Sequence, residues 1–341
     1  MSWLTPDDED ESYASFDESS IRVRPNPKAN RPRTKRRPEH ADAVVGMITG
    51  VDRGRYTVLV DADLKTERTV LAARARELSK TSIVIGDRVQ LVGDTSAQPG
   101  SLSRIVSIND RTTLLRRSAD DSDRVERVIV ANADQMMIVV AAANPEPRVR
   151  LVDRYLVAAY DAGITPMICV TKADLADPAD FLSNFADLGI TTFISGRDSY
   201  PLEEIKESLA GHETVFVGHS GVGKSTLINA LVPDANRATG DVNEVTGRGR
   251  HTSSSSVSFR FLSDRGNGWV IDTPGVRSFG LGHVTPEAIL RGFKDLSELT
   301  KNCPRGCTHL ADAPDCALDD SDSTTDDRTA SRIDSLRRLL S

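Results

Sequence analysis

The sequence predicts a multidomain α/β protein, with a small N-terminal β-barrel, a central domain built on a largely parallel sheet, and a short helical module around C-terminal cysteines. Three observations predict it. Short alternating strands separated by Gly- and Asp-containing breaks fill residues 43 to 108. Past residue 125 strands alternate with helices, the rhythm of a parallel sheet. Three of the four cysteines crowd between positions 303 and 316, a grouping that reads as a metal site rather than a disulfide framework. A chain of 341 residues with 38% hydrophobic content has room for two or three such units and a buried core.

The barrel comes first. AVVGMITGVDRGRYTVLV alternates apolar residues around a turn at Asp52 to Gly54, and ERTVLAARAR, IGDRVQLVG and GSLSRIVSI continue as short strands. An oligonucleotide-binding barrel (OB-fold) is the natural candidate, though other small barrels share the pattern. Arg53, Arg55, Arg74, Arg76 and Arg88 can form a basic face toward RNA or a plain solvated surface.

In the central domain, QMMIVVAAA reads as a buried strand. RLVDRYLVAAYDAG then sets Leu151, Val152, Tyr155, Leu156 and Ala159 on one helical face, closed by Gly163 and followed by the strand PMICV. PLEEIKESLA supplies a helix, TVFVG a strand, KSTLINALV a helix, and FRFL and GWVID two more strands. Cys169, within PMICV, is expected to be a buried small hydrophobe.

The net charge of −7 argues against a uniformly basic nucleic-acid binder, but it hides segregation. Positions 1 to 20 carry seven acidic residues and no Lys or Arg, and the Pro-rich stretch IRVRPNPKANRPRTKRRPEH then reverses the sign. That stretch is either a disordered arm that lies along phosphates or a solvated tail. The longest wholly apolar run, Met136 to Ala143, is too short to span a bilayer, and the N-terminus is acidic where a secretory signal would be basic. A cytoplasmic protein that does not enter membranes is therefore expected. The acidic C-terminal segment closes with RIDSLRRLL as a short helix.

GHSGVGKST, residues 218 to 226, carries the most specific chemistry. Gly218, Gly221 and Gly223 let the N–H groups of the loop through His219, Ser220 and Val222 turn inward around phosphate oxygens. Lys224 can reach the β and γ phosphates, Ser225 can ligate Mg²⁺, and Thr226 opens the following helix. The base is read elsewhere: in TKAD, Thr171, Lys172, Ala173 and Asp174 follow a strand, and the Asp174 carboxylate can accept both N1–H and the exocyclic amine of guanine. Thr171 stands where Asn is usual, which should blunt guanine preference without reversing it. FISG sets Ser195 and Gly196 where a backbone N–H commonly meets guanine O6. Downstream, Asp272 of DTPG suits a water-mediated Mg²⁺ contact, the Gly275 amide can meet a γ-phosphate, and Thr252 of GRGRHT can bind Mg²⁺.

The order of these motifs is rotated, with the guanine-reading boxes ahead of the phosphate loop and both switches. From residue 43 to 318 the chain resembles the circularly permuted GTPases, most closely the small-ribosomal-subunit-dependent GTPase A family, on barrel, TKAD, GHSGVGKST, GRGRHT, DTPGVR and the cysteine/histidine knot. The resemblance implies four parts: an N-terminal arm 1–42, an RNA-binding OB barrel 43–110, a permuted GTPase domain 111–285, and a zinc-binding domain with tail 286–341. It also implies hydrolysis of GTP to GDP, late action in small-subunit maturation, the small ribosomal subunit and its rRNA as partners, and a monomer. Hydrolysis should be slow until the subunit orders the switch loops.

Val276 beside DTPG cannot hydrogen-bond water, so the water-orienting role passes to His251, as the family's GRGRHT histidine implies. Cys303, Cys307, His309 and Cys316 fit one tetrahedral structural Zn²⁺. Their gaps of three residues after Cys303 and six after His309 each differ by one from the family's usual spacing, with the overall span unaltered. Because the chain leaves the DTPG switch straight into this knot, nucleotide state is expected to set the placement of both barrel and knot. Two other readings are an RNA-binding assembly chaperone in which GTP is only regulatory, and an ATP-driven P-loop protein.

Overall fold

A computed structural model describes residues 40–52, 54–118, 126–197, 199–233, 235, 256–273, 284–319 and 327–340. His251, Thr252, Gly275, the acidic and basic N-terminal arm, and Arg53 lie outside these described residues. Asp42–Ser341 form one unit.

Five strands close the barrel: β1 (Val44–Asp52), β2 (Arg55–Val60), β3 (Arg68–Arg74), β4 (Arg88–Gly93) and β5 (Ser103–Ile108). They run in the order β1-β2-β3-β5-β4, and β4 pairs back onto β1 to complete the circle. Only β3 and β5 are parallel; the other pairs are antiparallel, as the short connections demand. Alternation does the filling: Ile48, Tyr56, Val58, Val60, Val70, Val89, Leu91 and Ile105 point inward to a core of the barrel's own. Of the expected basic face, Arg55, Arg74 and Arg76 are exposed. Arg88 is not part of it, because its guanidinium is held by the Glu213 carboxylate and the Gly86 carbonyl.

The sequence reading passed over a hairpin, β6 (Leu114–Ser118) with β7 (Glu126–Ala131). Ala131 N–H donates to the Ile85 carbonyl and stitches the hairpin base to the barrel. At the same junction Arg111 grips the fully buried Asp87 with two hydrogen bonds, 2.6 and 2.8 Å.

The central sheet contains β8 (Gln135–Ala141), β9 (Thr165–Thr171), β10 (Thr191–Ile194), β11 (Glu213–Val217), β12 (Val257–Phe261) and β13 (Gly268–Asp272). Its order is β10-β9-β8-β11-β13-β12, parallel except for the β12–β13 pair. A single register point, Gly50 opposite Val257, joins β1 of the barrel to β12. Strand β8 is buried along its whole length because both faces are covered. Met136, Ile138 and Val140 enter one core, while Met137, Val139 and Ala141 enter the other.

Helices α1 (Val149–Ala162), α2 (Ala179–Ser183), α3 (Leu202–Leu209) and α4 (Lys224–Leu231) follow the expected strands. Helix α1 ends at Gly163 in the left-handed conformation, φ 70°, which lets its N–H turn back onto the last carbonyls. Its buried face is wider than the apolar stripe read from sequence and includes Val157, Ala158 and Tyr160. The cause is a second cover, since the sheet lies on one side and C-terminal helices on the other. Helix α5 (Pro286–Leu290) packs on α1, capped by Thr285 with proline in its first turn, and α6 (Lys294–Leu299) follows. The last helix, α7 (Asp327–Leu340), is longer than the RIDSLRRLL segment that predicts it. Its Ile333, Leu336 and Leu339 join Phe293, Leu296 and Leu318 in the same core as Tyr155 and Tyr160 of α1. Among the described residues no helix is long and apolar enough to cross a membrane.

Candidate nucleotide and zinc sites

The phosphate loop joins β11 to α4, at the C-terminal edge of the parallel sheet, where α/β folds place their ligands. Two glycines are required there. A Cβ at Gly218 would stand 2.5 Å from the Val139 carbonyl oxygen, and Gly223 has φ 89° with the Thr171 side chain against it. His219, Ser220, Gly221, Ser225 and Thr226 are exposed, so the loop and first helical turn face solvent, while Val222 is buried beneath them. Lys224 and Asp272 meet in an ion pair through the lysine ammonium. Asp272 reaches this position because β13 lies beside β11, a register that the Thr273 hydroxyl reinforces by donating to the Phe216 carbonyl at 3.0 Å.

The TKAD segment, expected to read guanine, sits directly against the phosphate loop. Lys172, at φ 56°, donates from its ammonium to the Gly221 carbonyl at 2.8 Å and to the Asn144 carbonyl. The Thr171 hydroxyl lies 2.5 Å from the Val222 carbonyl oxygen and 3.3 Å from that of Val140. Asp174 is exposed, and its carboxylate accepts the Arg197 N–H at 2.8 Å. The Ala173 N–H donates to the Ser195 carbonyl.

The expectation for the FISG amides changes here. The Ser195 N–H donates to the Val170 carbonyl at 2.8 Å, and that of Gly196 donates to the Ser199 carbonyl at 2.9 Å, so neither amide stands free for guanine O6. Ser195 is fully buried, and its hydroxyl has no partner among the described residues. Its place is structural, as the continuation of the β9–β10 pairing. Thr171, 4% exposed, turns its hydroxyl to the Val222 carbonyl of the phosphate loop. No composition signal announces either fact, because both depend on which carbonyl a neighbouring strand presents.

Cys303, Cys307, His309 and Cys316 converge, with their ligand atoms all within 4.8 Å of one another. Cys303 Sγ lies 3.6 Å from His309 Nδ1 and 4.0 Å from Cys316 Sγ, and Cys316 Sγ lies 3.8 Å from His309 Nδ1. Zinc–sulfur bonds of about 2.3 Å in a tetrahedron set sulfurs about 3.8 Å apart, so the set has the dimensions of a closed structural zinc site. Backbone N–H groups support the sulfurs: Ala317 donates to Cys303 at 3.3 Å and His309 to Cys307 at 3.4 Å. Burial holds His309 below its usual pKa against the pull of Glu287, which keeps the imidazole neutral and able to ligate. Burial also pushes the Cys316 thiol up to about 11, so a cation is required to keep it as thiolate at neutral pH. Cys169 is buried as expected, its thiol pushed up to about 12 by burial alone.

A phosphate loop on a parallel sheet, a carboxylate-bearing box packed against it and an aspartate paired with the loop lysine define a P-loop nucleotide-binding protein of the GTPase type, with its motifs in permuted order. Residues 108–282 match the RsgA GTPase family. A protein from Pseudomonas syringae pv. tomato named small ribosomal subunit biogenesis GTPase RsgA is 35% identical over 305 residues, 84% of this chain and 86% of that protein. The Pseudomonas aeruginosa protein of the same name is 41% identical over 198 residues, and there the match spans 57% of the relative's length and 56% of this chain. Among solved structures, YjeQ from Thermotoga maritima has a TM-score of 0.60 at 24% identity, covering 87% of this chain and 99% of that one. YloQ, described as a circularly permuted GTPase, has a TM-score of 0.59 at 24% identity, covering 89% of this chain and 97% of that one. At that identity both speak for the fold. This chain belongs to the RsgA GTPase family.

Proposed function

We propose that this chain hydrolyses GTP to GDP and phosphate and acts in biogenesis of the small ribosomal subunit, with its rRNA as the surface it grips. The observation that carries the reading is the contact of Lys172 with the Gly221 carbonyl: TKAD touches the phosphate loop although the two stand in reversed chain order. In this reading Asp174 accepts from guanine, and the loop N–H groups with Lys224 hold the phosphates. Ser225 and Thr252 would hold Mg²⁺, with Asp272 contacting it through water, and the metal would supply charge neutralisation at the phosphates; Gly275 would meet the γ-phosphate and His251 would orient the attacking water. Nucleotide binding would require the Lys224–Asp272 pair to open, leaving the ammonium for phosphate and the carboxylate for the metal's water shell.

The functional divisions proposed are the arm 1–42, barrel 43–110, GTPase domain 111–285 and zinc-binding part 286–341, in a cytoplasmic monomer. Cys303, Cys307, His309 and Cys316 would hold one Zn²⁺ that supplies structure rather than chemistry. A second reading, nucleotide binding as regulation of an RNA chaperone, is favoured by Val276 beside DTPG, which offers water no hydrogen bond. The two are separated by phosphate release with and without purified small subunits, using large subunits as control. Stimulation by small subunits alone is expected, and equal, slow turnover in all arms would leave only the regulatory reading.

A further inference from the structure

We infer that Thr171 is a positioning residue for the phosphate loop and takes no part in reading the base, so that base selectivity falls to Asp174 alone. The inference rests on the GTPase reading and assigns a task to the residue in which this chain departs from the usual Asn. Thr171 has one hydroxyl proton, and the nearer of its two acceptors is the Val222 carbonyl, at 2.5 Å against 3.3 Å for Val140. The residue is buried, and its Oγ1, Cβ and Cγ2 all lie within 3.7 Å of the point where a Cβ on Gly223 would stand. The side chain therefore packs under the Val222–Gly223 peptide.

A trans peptide is planar, with its C=O and N–H on opposite sides. Drawing the Val222 carbonyl back toward Thr171 turns the Gly223 N–H the other way, to the side on which the exposed loop meets phosphate. Lys172 does the same one peptide earlier by holding the Gly221 carbonyl. Two adjacent residues of the base-reading box thus fix two successive carbonyls of the loop, and the oriented donors are paid for before ligand arrives. Short as it is, the threonine reaches because β9 ends directly beneath the loop. The Asp174 carboxylate points instead toward the Arg197 N–H, at the far end of the box.

This assignment separates phosphate grip from base choice, and the two are separable by experiment. GDP and IDP differ only in the exocyclic amine that Asp174 accepts. Calorimetry on the full chain with Mg²⁺ compares both nucleotides for wild type, Thr171→Val, Thr171→Ser and Asp174→Asn. With the Val222 carbonyl left without its donor, Thr171→Val should weaken GDP and IDP alike, by roughly tenfold each, with the GDP:IDP ratio unchanged. Thr171→Ser, which keeps the hydroxyl, should recover most of the loss, whereas Asp174→Asn should draw the ratio toward one. Thr171→Ala serves if valine disturbs packing, and the same parallel loss is expected. A Thr171→Val ratio that moves as it does in Asp174→Asn would overturn the inference, as would wild-type affinity for both nucleotides. Wild-type protein that takes up neither nucleotide would remove the GTPase reading first and this inference with it.

Discussion

The barrel and the C-terminal helices are attached to the nucleotide domain by different physics. The barrel keeps a core of its own around Ile48, Val58 and Ile105. It meets its neighbour through the polar pairs Arg88 with Glu213, Arg260 with Asp63 and Glu67, and Asn267 with Asp63, through the β1–β12 pairing at Gly50, and through Ile85, which lies in the central core. The C-terminal helices have no separate core, because Phe293, Leu318, Ile333 and Leu336 share one with Tyr155 and Ile138. Polar contacts at a surface exchange for water at small net cost, whereas shared apolar area is lost in proportion to what is exposed. The two outer parts are therefore unequally coupled: the barrel shares little apolar area with its neighbour, whereas the part that carries the cysteine/histidine cluster cannot turn without opening the core it shares with α1 and β8. Any nucleotide-driven displacement is therefore expected to be larger for the barrel than for the cysteine/histidine cluster.

The largest effect expected is from removal of the zinc that Cys303, Cys307, His309 and Cys316 would hold. Structural zinc contributes on the order of 10 kcal/mol in small domains, so a strong chelator or Cys307→Ser should lower the melting temperature by roughly 10 °C or more. The melting of α1 and β8 should shift with it, since Cys316 and Leu318 sit in their core. Hydrogen exchange reads this directly, and a zinc-free protein whose α1 stays fully protected would break the comparison. Leu336→Ala comes next. It empties a fully buried site at the seam between α7 and α1, and should cost about 2–5 kcal/mol in denaturant unfolding while leaving barrel amides comparatively protected.

Arg88→Ala tests the barrel side with a smaller loss, about 1 kcal/mol, because Arg88 is itself 36% exposed. Its pH dependence carries more information. Burial raises the Glu213 pKa above the usual carboxylate value and Arg88 opposes that rise, so removing Arg88 pushes it further up. A raised carboxyl favours the protonated folded state. The variant's deficit should therefore be full at neutral pH and shrink as pH falls through the Glu213 folded pKa, as unfolding curves at stepped pH would show; a deficit that grows in acid would contradict the pairing. Arg260→Ala is the mildest, about 0.2–1 kcal/mol, and should fade in high salt because its partners Asp63 and Glu67 stand at the surface. A salt-independent loss would mean that the barrel is held more firmly than its contacts indicate.

Much of the site was legible in the sequence because phosphate grip is a local demand: glycines for close approach and a lysine at the helix start must be neighbours in the chain. The β8 and β9 strands were legible for the opposite reason, since strands covered on both faces read as unbroken apolar runs. The β6–β7 hairpin was not, because LLRRS lacks clean alternation and its pairing with Ala131 and Val130 is settled by the barrel it leans on. Ser195 was misread because its N–H is claimed by the Val170 carbonyl across the sheet, a partner that no spacing reveals.

By itself the sequence determined the chemistry available and its rotated order, since the residues proposed to hold phosphate and base must appear as contiguous runs wherever the chain is cut. Only the tertiary structure decided which groups spend their hydrogen bonds inside the protein and which core the C-terminal helices share. Those outcomes depend on neighbours tens of residues away in sequence, brought close by the sheet.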